Sequence, residues 1–189
     1  LWYNRGMKGG KTMDFTWKFA RGQISLEVPD ENIKAVLKRR GFPAADGSQP
    51  AVESALMQPI GSPKLKEIIA RKEAKSVLIV VNDITRPTPY KQMLPPLLNE
   101  IREAGIGDEQ VTLLIANGIH REQTIEESRL IYGEDVCERC RVVNHNPDRD
   151  LVSLGTLEGG FEARINRLVK ESDVVIATGL IGLHYIAGY

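Results

Sequence analysis

The sequence predicts an α/β domain with a mostly parallel sheet flanked by helices, on three observations. Residues 76–81, 110–116 and 173–178 are continuous apolar runs rich in β-branched side chains, as in strands buried on both faces. Segments with helical patterning separate them, and strands alternating with helices imply right-handed crossovers and parallel pairing. Each run also passes directly into a polar or glycine-containing turn.

The elements follow in order. Residues 23–28 alternate polar and apolar and stop at Pro29, the pattern of a half-buried strand. Residues 40–50 hold two prolines and two glycines and read as a loop. Residues 51–57 and 63–71 read as helices, the second with Ser62 as its cap and Pro63 in its first turn. After the strand at 76–81, a helix over 90–104 ends at Gly105; Pro95 and Pro96 within it point to a kink or a later start. A helix over 124–132 stops at Gly133. A short strand at 141–143 and another at 151–157, nearer an edge, precede a helix over 162–170.

Bulk properties narrow the function classes. The chain has 189 residues, 42% hydrophobic and 26% charged, enough for a core in one domain or a domain with a small appendage. Lys+Arg and Asp+Glu are each 25, a balance that offers no electrostatic footprint for nucleic acid or an anionic membrane. No apolar run approaches a bilayer span. The first residues lack a signal-like apolar stretch, which favours the cytoplasm. Residues 1–14 are expected to be a leader or vector-derived segment, and residues 15–189 an α/β domain incomplete at its C-terminal end. The two cysteines, Cys137 and Cys140, form one C-x-x-C pair with no second pair to complete a zinc site. They read as incidental.

Chemistry gathers in the turns after the strands. The first is Asn82-Asp83-Ile84-Thr85-Arg86-Pro87-Thr88-Pro89 and the second Asn117-Gly118-Ile119-His120-Arg121. The third is Asn144-His145-Asn146-Pro147, and the fourth Gly179-Leu180-Ile181-Gly182-Leu183-His184. Parallel strands deliver their carboxyl ends to one edge, where ligands bind, so the four turns should converge. All three histidines of the chain lie in them, and proton transfer near neutral pH is the chemistry histidine serves best. Arg86, between prolines on a rigid turn, suits a carboxylate or phosphate. Asp83 could instead cap a helix or bond its own turn, Thr85 could be a turn residue or a phosphate contact, and Asn144 and Asn146 are ordinary turn formers. These residues describe a pocket for a small anion. His120 and His184, on different strand ends, suit proton removal from either face of a substrate, as in a two-base racemase. A zinc hydrolase using His120, His145 and His184, or a non-catalytic anion-binding domain, accounts for the same residues.

The ordered motifs Asp83-Ile84-Thr85-Arg86-Pro87, Gly118-Ile119-His120-Arg121, Asn144-His145-Asn146 and Gly179-Leu180-Ile181-Gly182-Leu183-His184-Tyr185-Ile186-Ala187-Gly188-Tyr189 together resemble the N-terminal domain of the nickel-dependent lactate racemase family. The resemblance implies the N-terminal domain of a two-domain racemase or epimerase of small 2-hydroxy acids. It implies a nickel pincer nucleotide cofactor, a thio-modified pyridinium mononucleotide tethered to a lysine, that accepts a hydride and returns it to either face. His120 and His184 would be the acid/base pair, with Asp83, Thr85, Arg86, Arg121 and His145 binding substrate or cofactor. The family's tethering lysine and nickel-binding histidine fall beyond Tyr189, as does its second domain. The expectation is therefore a domain that binds no cofactor and is inactive alone.

Overall fold

The computed structural model describes residues 2–3, 12–37, 49–182 and 188. The chain divides into two compact units, Leu1–Pro43 and Ala44–Tyr189.

The first unit is an antiparallel sheet of β1 (Trp2–Tyr3), β2 (Thr12–Phe19) and β3 (Gly22–Pro29), in that order. β3 occupies the stretch expected to be a strand. β2 begins at Thr12, within the stretch read as a leader; its sequence alternates polar Thr12, Asp14, Thr16 and Lys18 with apolar Met13, Phe15, Trp17 and Phe19. Ala20 and Arg21 connect the two strands, with Ala20 at a φ of 49°, the left-handed backbone that short hairpin loops demand. Phe15 and Trp17 share a face and stack at 5.8 Å, as residues two apart in a strand must.

The second unit opens with α1 (Gln49–Met57) and α2 (Leu65–Arg71). β4 (Val77–Val81), α3 (Tyr90–Glu103), β5 (Val111–Ile115), α4 (Ile125–Tyr132), α5 (Glu134–Arg139) and β6 (Arg141–Asn144) follow. The chain continues through β7 (Leu151–Thr156), β8 (Glu162–Asn166), α6 (Arg167–Glu171) and β9 (Val174–Ala177). The main sheet is β6-β5-β4-β9 and every pairing in it is parallel. The predicted fold class is thus present: a parallel four-stranded sheet with helices in its crossovers.

The core explains why these runs are strands. Leu78, Ile79, Val81, Val111, Leu113 and Ile115 have no exposure, so β4 and β5 are covered on both faces. In α3, Leu94, Leu98 and Ile101 repeat at helical spacing and are also buried; α3 joins the core cluster through that stripe.

Three expectations are corrected. Residues 162–170 are not one helix. Glu162-Ala163-Arg164-Ile165-Asn166 alternates and forms β8, which pairs antiparallel with β7, leaving only Arg167–Glu171 helical. Gly159 and Gly160, at φ of 97° and 83°, supply the tight reversal that makes a hairpin cheaper than a helix here. β7 therefore lies in a separate two-stranded ribbon, not at an edge of the main sheet. α2 starts at Leu65 without a side-chain cap: the cap position falls on Lys64, which has no side-chain acceptor, and Ser62, two residues earlier, donates its hydroxyl to the Pro63 carbonyl. α3 starts at Tyr90 with both prolines inside it. Among the described residues no helix is long and apolar enough to cross a membrane.

Leu113→Ala is expected to lower unfolding free energy by about 2–5 kcal/mol, because the wholly buried side chain leaves a cavity between fixed strands. Urea titration followed by circular dichroism measures it; a loss under about 1 kcal/mol would contradict the assigned core.

Candidate functional site

β4 is where sheet growth reverses. β5 and β6 lie on one side of it and β9 on the other, and ligands of open α/β sheets bind outside the carboxyl ends of the strands at such a switch point. The first turn leaves β4 there and carries Asp83, a carboxylate only 5% exposed. Asp83 Oδ1 accepts from the Thr85 amide at 3.0 Å and the Thr85 hydroxyl at 2.6 Å, closing the turn on itself. Its other oxygen, Oδ2, lies 2.5 Å from His120 Nδ1 on the turn after β5. That second turn bends at Gly118, whose φ of 54° costs a glycine little, and the His120 amide donates to the Asn117 carbonyl.

Gln123, buried just before α4, ties three strand ends together. Its Oε1 accepts from the Ile84 amide at 2.7 Å, and its amide donates to Asn144 Oδ1 at 2.9 Å. Asn144 Nδ2 in return donates to the Gln123 carbonyl at 3.0 Å. The sequence reading missed Gln123; its one signal was a polar residue directly preceding a Thr124–Glu127 capping box. The fourth strand end is joined through Asn82 and Tyr90. The Asn82 amide donates to the Tyr90 hydroxyl at 2.6 Å, and that hydroxyl lies 3.1 Å from Thr178 Oγ1. The Thr178 hydroxyl donates back to the Val80 carbonyl. A Cβ at Gly179 would touch Asn82 Oδ1 at 3.5 Å, so the fourth turn runs close beside the first.

The predicted residues fall into distinct environments. Asp83, Thr85 and His120 form one hydrogen-bonded group. Arg86 sits beside it on the exposed side, its Nη1 donating to Thr85 Oγ1 at 3.1 Å. Among the described residues Arg86 has no acidic partner. It lines a cavity of about 330 Å³ with Thr85, Lys91 and Gln92; neither Asp83 nor His120 lines that cavity. Arg121 turns to α4, where its guanidinium grips Glu127 with both nitrogens at 2.9 and 2.6 Å. That fork, with the Thr124 amide, holds the Glu127 carboxyl down to about 2. His145 closes the β6 end, its amide donating to the Ile115 carbonyl and its Nδ1 lying 3.2 Å from Asn166 Nδ2. Asn146 is a turn former, accepting from the Asp148 amide. His184 lies outside the described residues.

Burial works to raise the Asp83 carboxyl, but the hydrogen bonds from Thr85 and His120 outweigh it and hold the group below the ordinary aspartate range. Cys137 and Cys140 are free thiols on and just after α5, and burial pushes both up, Cys140 to about 12, away from reactive thiolate character. Among the described residues no three His, Cys, Asp or Glu side chains gather as a metal-binding group.

The chain is similar to known proteins over most of its length. The profile of the lactate racemase N-terminal domain matches residues 19–189. The chain belongs to that family. It is 33% identical over 175 residues to a lactate racemase of Thermoanaerobacterium thermosaccharolyticum, a match covering 90% of this chain and 40% of the relative. It is 34% identical over 170 residues to the lactate racemase of Lactiplantibacillus plantarum, covering 88% and 39%. The structure of the T. thermosaccharolyticum lactate racemase apoprotein superposes with a TM-score of 0.77 at 31% identity, over 92% of this chain and 40% of that one. A Thermotoga maritima protein shares the fold at a TM-score of 0.52 and 23% identity, over 69% of this chain and 33% of that one. The chain thus spans about 40% of the length of the curated relatives it matches.

The lowered Asp83 carboxyl sets a direction for acid stability. A depressed carboxylate contributes stability that is complete above its unfolded pKa and is lost as the pH falls through its lower folded value. Thermal melts taken from pH 6 down to pH 2 should therefore fall less steeply for Asp83→Asn than for wild type below about pH 4. Parallel curves would show that Asp83 gains nothing from its bonds to Thr85 and His120.

Proposed function

We propose that this chain supplies the N-terminal domain of a lactate-type 2-hydroxy acid racemase, with His120 and His184 as its acid/base pair. The observation that carries the reading is the bracing of the strand-end turns at the carboxyl edge, with His120 held by Asp83 across two of them and partly open to solvent. An imidazole whose side chain is 48% exposed can reach a bound hydroxyl and still exchange its proton with water. Arg86, exposed and without an acidic partner among the described residues, suits the substrate carboxylate or a nucleotide phosphate, since a planar fork matches either. Thr85 and His145 would line the same edge, and Asp83 would face it through its hydrogen-bonded group.

A nickel pincer nucleotide fits the donor set in part. The Arg86 guanidinium and the glycine-lined fourth turn beside Asn82 suit an anionic mononucleotide lying along the strand ends. The described residues contribute no metal-binding cluster, so this domain's share would be the organic part of the cofactor and the substrate, with the metal held by groups beyond them. When bound, such a group supplies the acceptor for the hydrogen on the substrate's α-carbon. The chain's own work is to fix the carboxylate at Arg86 and to move the hydroxyl proton at His120 on one face and His184 on the other. Arg121, engaged by Glu127, would act by holding the start of α4 against the second turn.

In the complete, cofactor-loaded protein, His120→Ala should lower the racemisation rate about 10²–10⁴-fold with an unchanged far-ultraviolet spectrum. Polarimetry on a single enantiomer of lactate reads this directly, and wild-type turnover would refute the role. Arg86→Lys should raise KM about tenfold or more, the loss of roughly one charge-assisted hydrogen bond.

A further inference from the structure

The two oxygens of Asp83 do different jobs. Oδ1 takes both Thr85 donors, the amide at 3.0 Å and the hydroxyl at 2.6 Å, and so closes the turn. Oδ2 is left over for one contact, His120 Nδ1 at 2.5 Å. A turn-forming aspartate needs only the first of these. The join between the two turns does not need the second either, because the Ile84 amide and Gln123 side chain already bridge them at 2.7 Å. The contact to His120 therefore calls for its own explanation.

An ionised carboxylate only accepts hydrogen bonds. The nitrogen facing Oδ2 must donate, so the neutral ring carries its proton on Nδ1 and its lone pair on Nε2. Asp83 is 5% exposed, whereas the His120 side chain is 48% exposed. The proton-bearing nitrogen is thus turned to the buried carboxylate, and no described residue bonds Nε2. We propose that Asp83, pinned by Thr85, is a positioning residue that holds His120 in its Nδ1–H form and presents Nε2 as the proton acceptor. The proton-accepting role rests on the racemase reading above; the tautomer does not. The balance is simple: the substrate hydroxyl proton passes to Nε2, the ring becomes a cation beside the Asp83 carboxylate and gives that proton up to water, while His184 would supply one proton to the oxygen of the opposite enantiomer; in the reverse direction Nε2 is the donor.

Asp83→Asn gives a sharp test. The carboxamide is nearly isosteric, and its oxygen would keep the two Thr85 donors. Its NH2 group would then face His120 Nδ1, which would have to accept, moving the ring proton to Nε2. Long-range ¹H–¹⁵N spectra of the cofactor-free protein, labelled at histidine and assigned with His120→Gln, report this directly at a pH where the ring is neutral. The expected result is an Nδ1–H ring in wild type and an Nε2–H ring in Asp83→Asn. Thr85→Val, which removes the hydroxyl pin and leaves the carboxylate, should give a mixture. The same tautomer in wild type and Asp83→Asn would overturn the proposal. In the loaded enzyme, kcat of Asp83→Asn should fall about 10²–10⁴-fold with KM little changed. A rise in KM alone would assign Asp83 to substrate binding and overturn the positioning role. Because the spectra need neither cofactor nor substrate, a flipped tautomer in a protein that racemises nothing would sink the racemase reading and leave the positioning role standing.

Discussion

Everything at the candidate site depends on the parallel pairing of β4 with both β5 and β9. Val77 to Val81 run beside Val111 to Ile115 on one side, and Val77 to Val80 beside Val174 to Ala177 on the other. Because all three strands point the same way, the residue after each strand leaves the sheet at one edge. The pairing is held by burial more than by any single contact: Leu78, Ile79, Val81, Leu113 and Ile115 are inaccessible to water, and apolar burial of this kind is the dominant favourable term in folding. The polar turns are attached to the least deformable part of the unit.

Between that sheet and the exposed edge lies a layer of polar groups, most of them hydrogen-bonded, with the buried Asn117 Oδ1 left without a partner among the described residues. Asn82 sits at its centre. Its amide donates to Tyr90, its side-chain oxygen accepts from Thr88 and Tyr90, and its carbonyl accepts from the Tyr132 hydroxyl at 2.7 Å. Tyr90 and Tyr132 meet edge-on at 5.3 Å, and both rings are wholly buried. Their hydroxyls reach the strand ends while their rings belong to the core, the usual use of a buried tyrosine. A network with most of its groups partnered restricts the turns without filling the edge itself, so the buried Asp83 is placed by the core while His120 remains accessible on one side. Support of this kind is what an acid/base group needs, since orientation is a large part of its effect.

Other features stand apart from this edge. The β7–β8 ribbon meets the site at its base, where Asn166 approaches His145. Its far end exposes Leu157 and Phe161. Asp173, before β9, ties β9 to the start of β4 by accepting from the Lys75 and Ser76 amides, at the amino edge of the sheet, opposite the edge that carries His120 and His145. The C-x-x-C pair packs its Cys140 into the core and takes no part in the edge.

The sequence by itself determined the fold class, the strands of the parallel sheet and the turns that carry Asp83, His120 and His145. Those properties are local: β-branched runs, glycine breaks and capping residues act within a few positions of themselves. It also carried the family, since four ordered motifs survive without knowledge of strand order. The β7–β8 hairpin was legible only in retrospect, because five residues such as Glu162 to Asn166 satisfy a helical and an alternating pattern equally, and the Gly159–Gly160 reversal decides between them. Tertiary structure alone decided the strand order β6-β5-β4-β9 and the engagement of Arg121 by Glu127. It alone decided the role of Gln123 as a brace and the pairing of Asp83 with His120, 37 residues apart. Hydrogen bonds of that kind are set by which turns the sheet brings together, and that depends on strand neighbours no local pattern encodes.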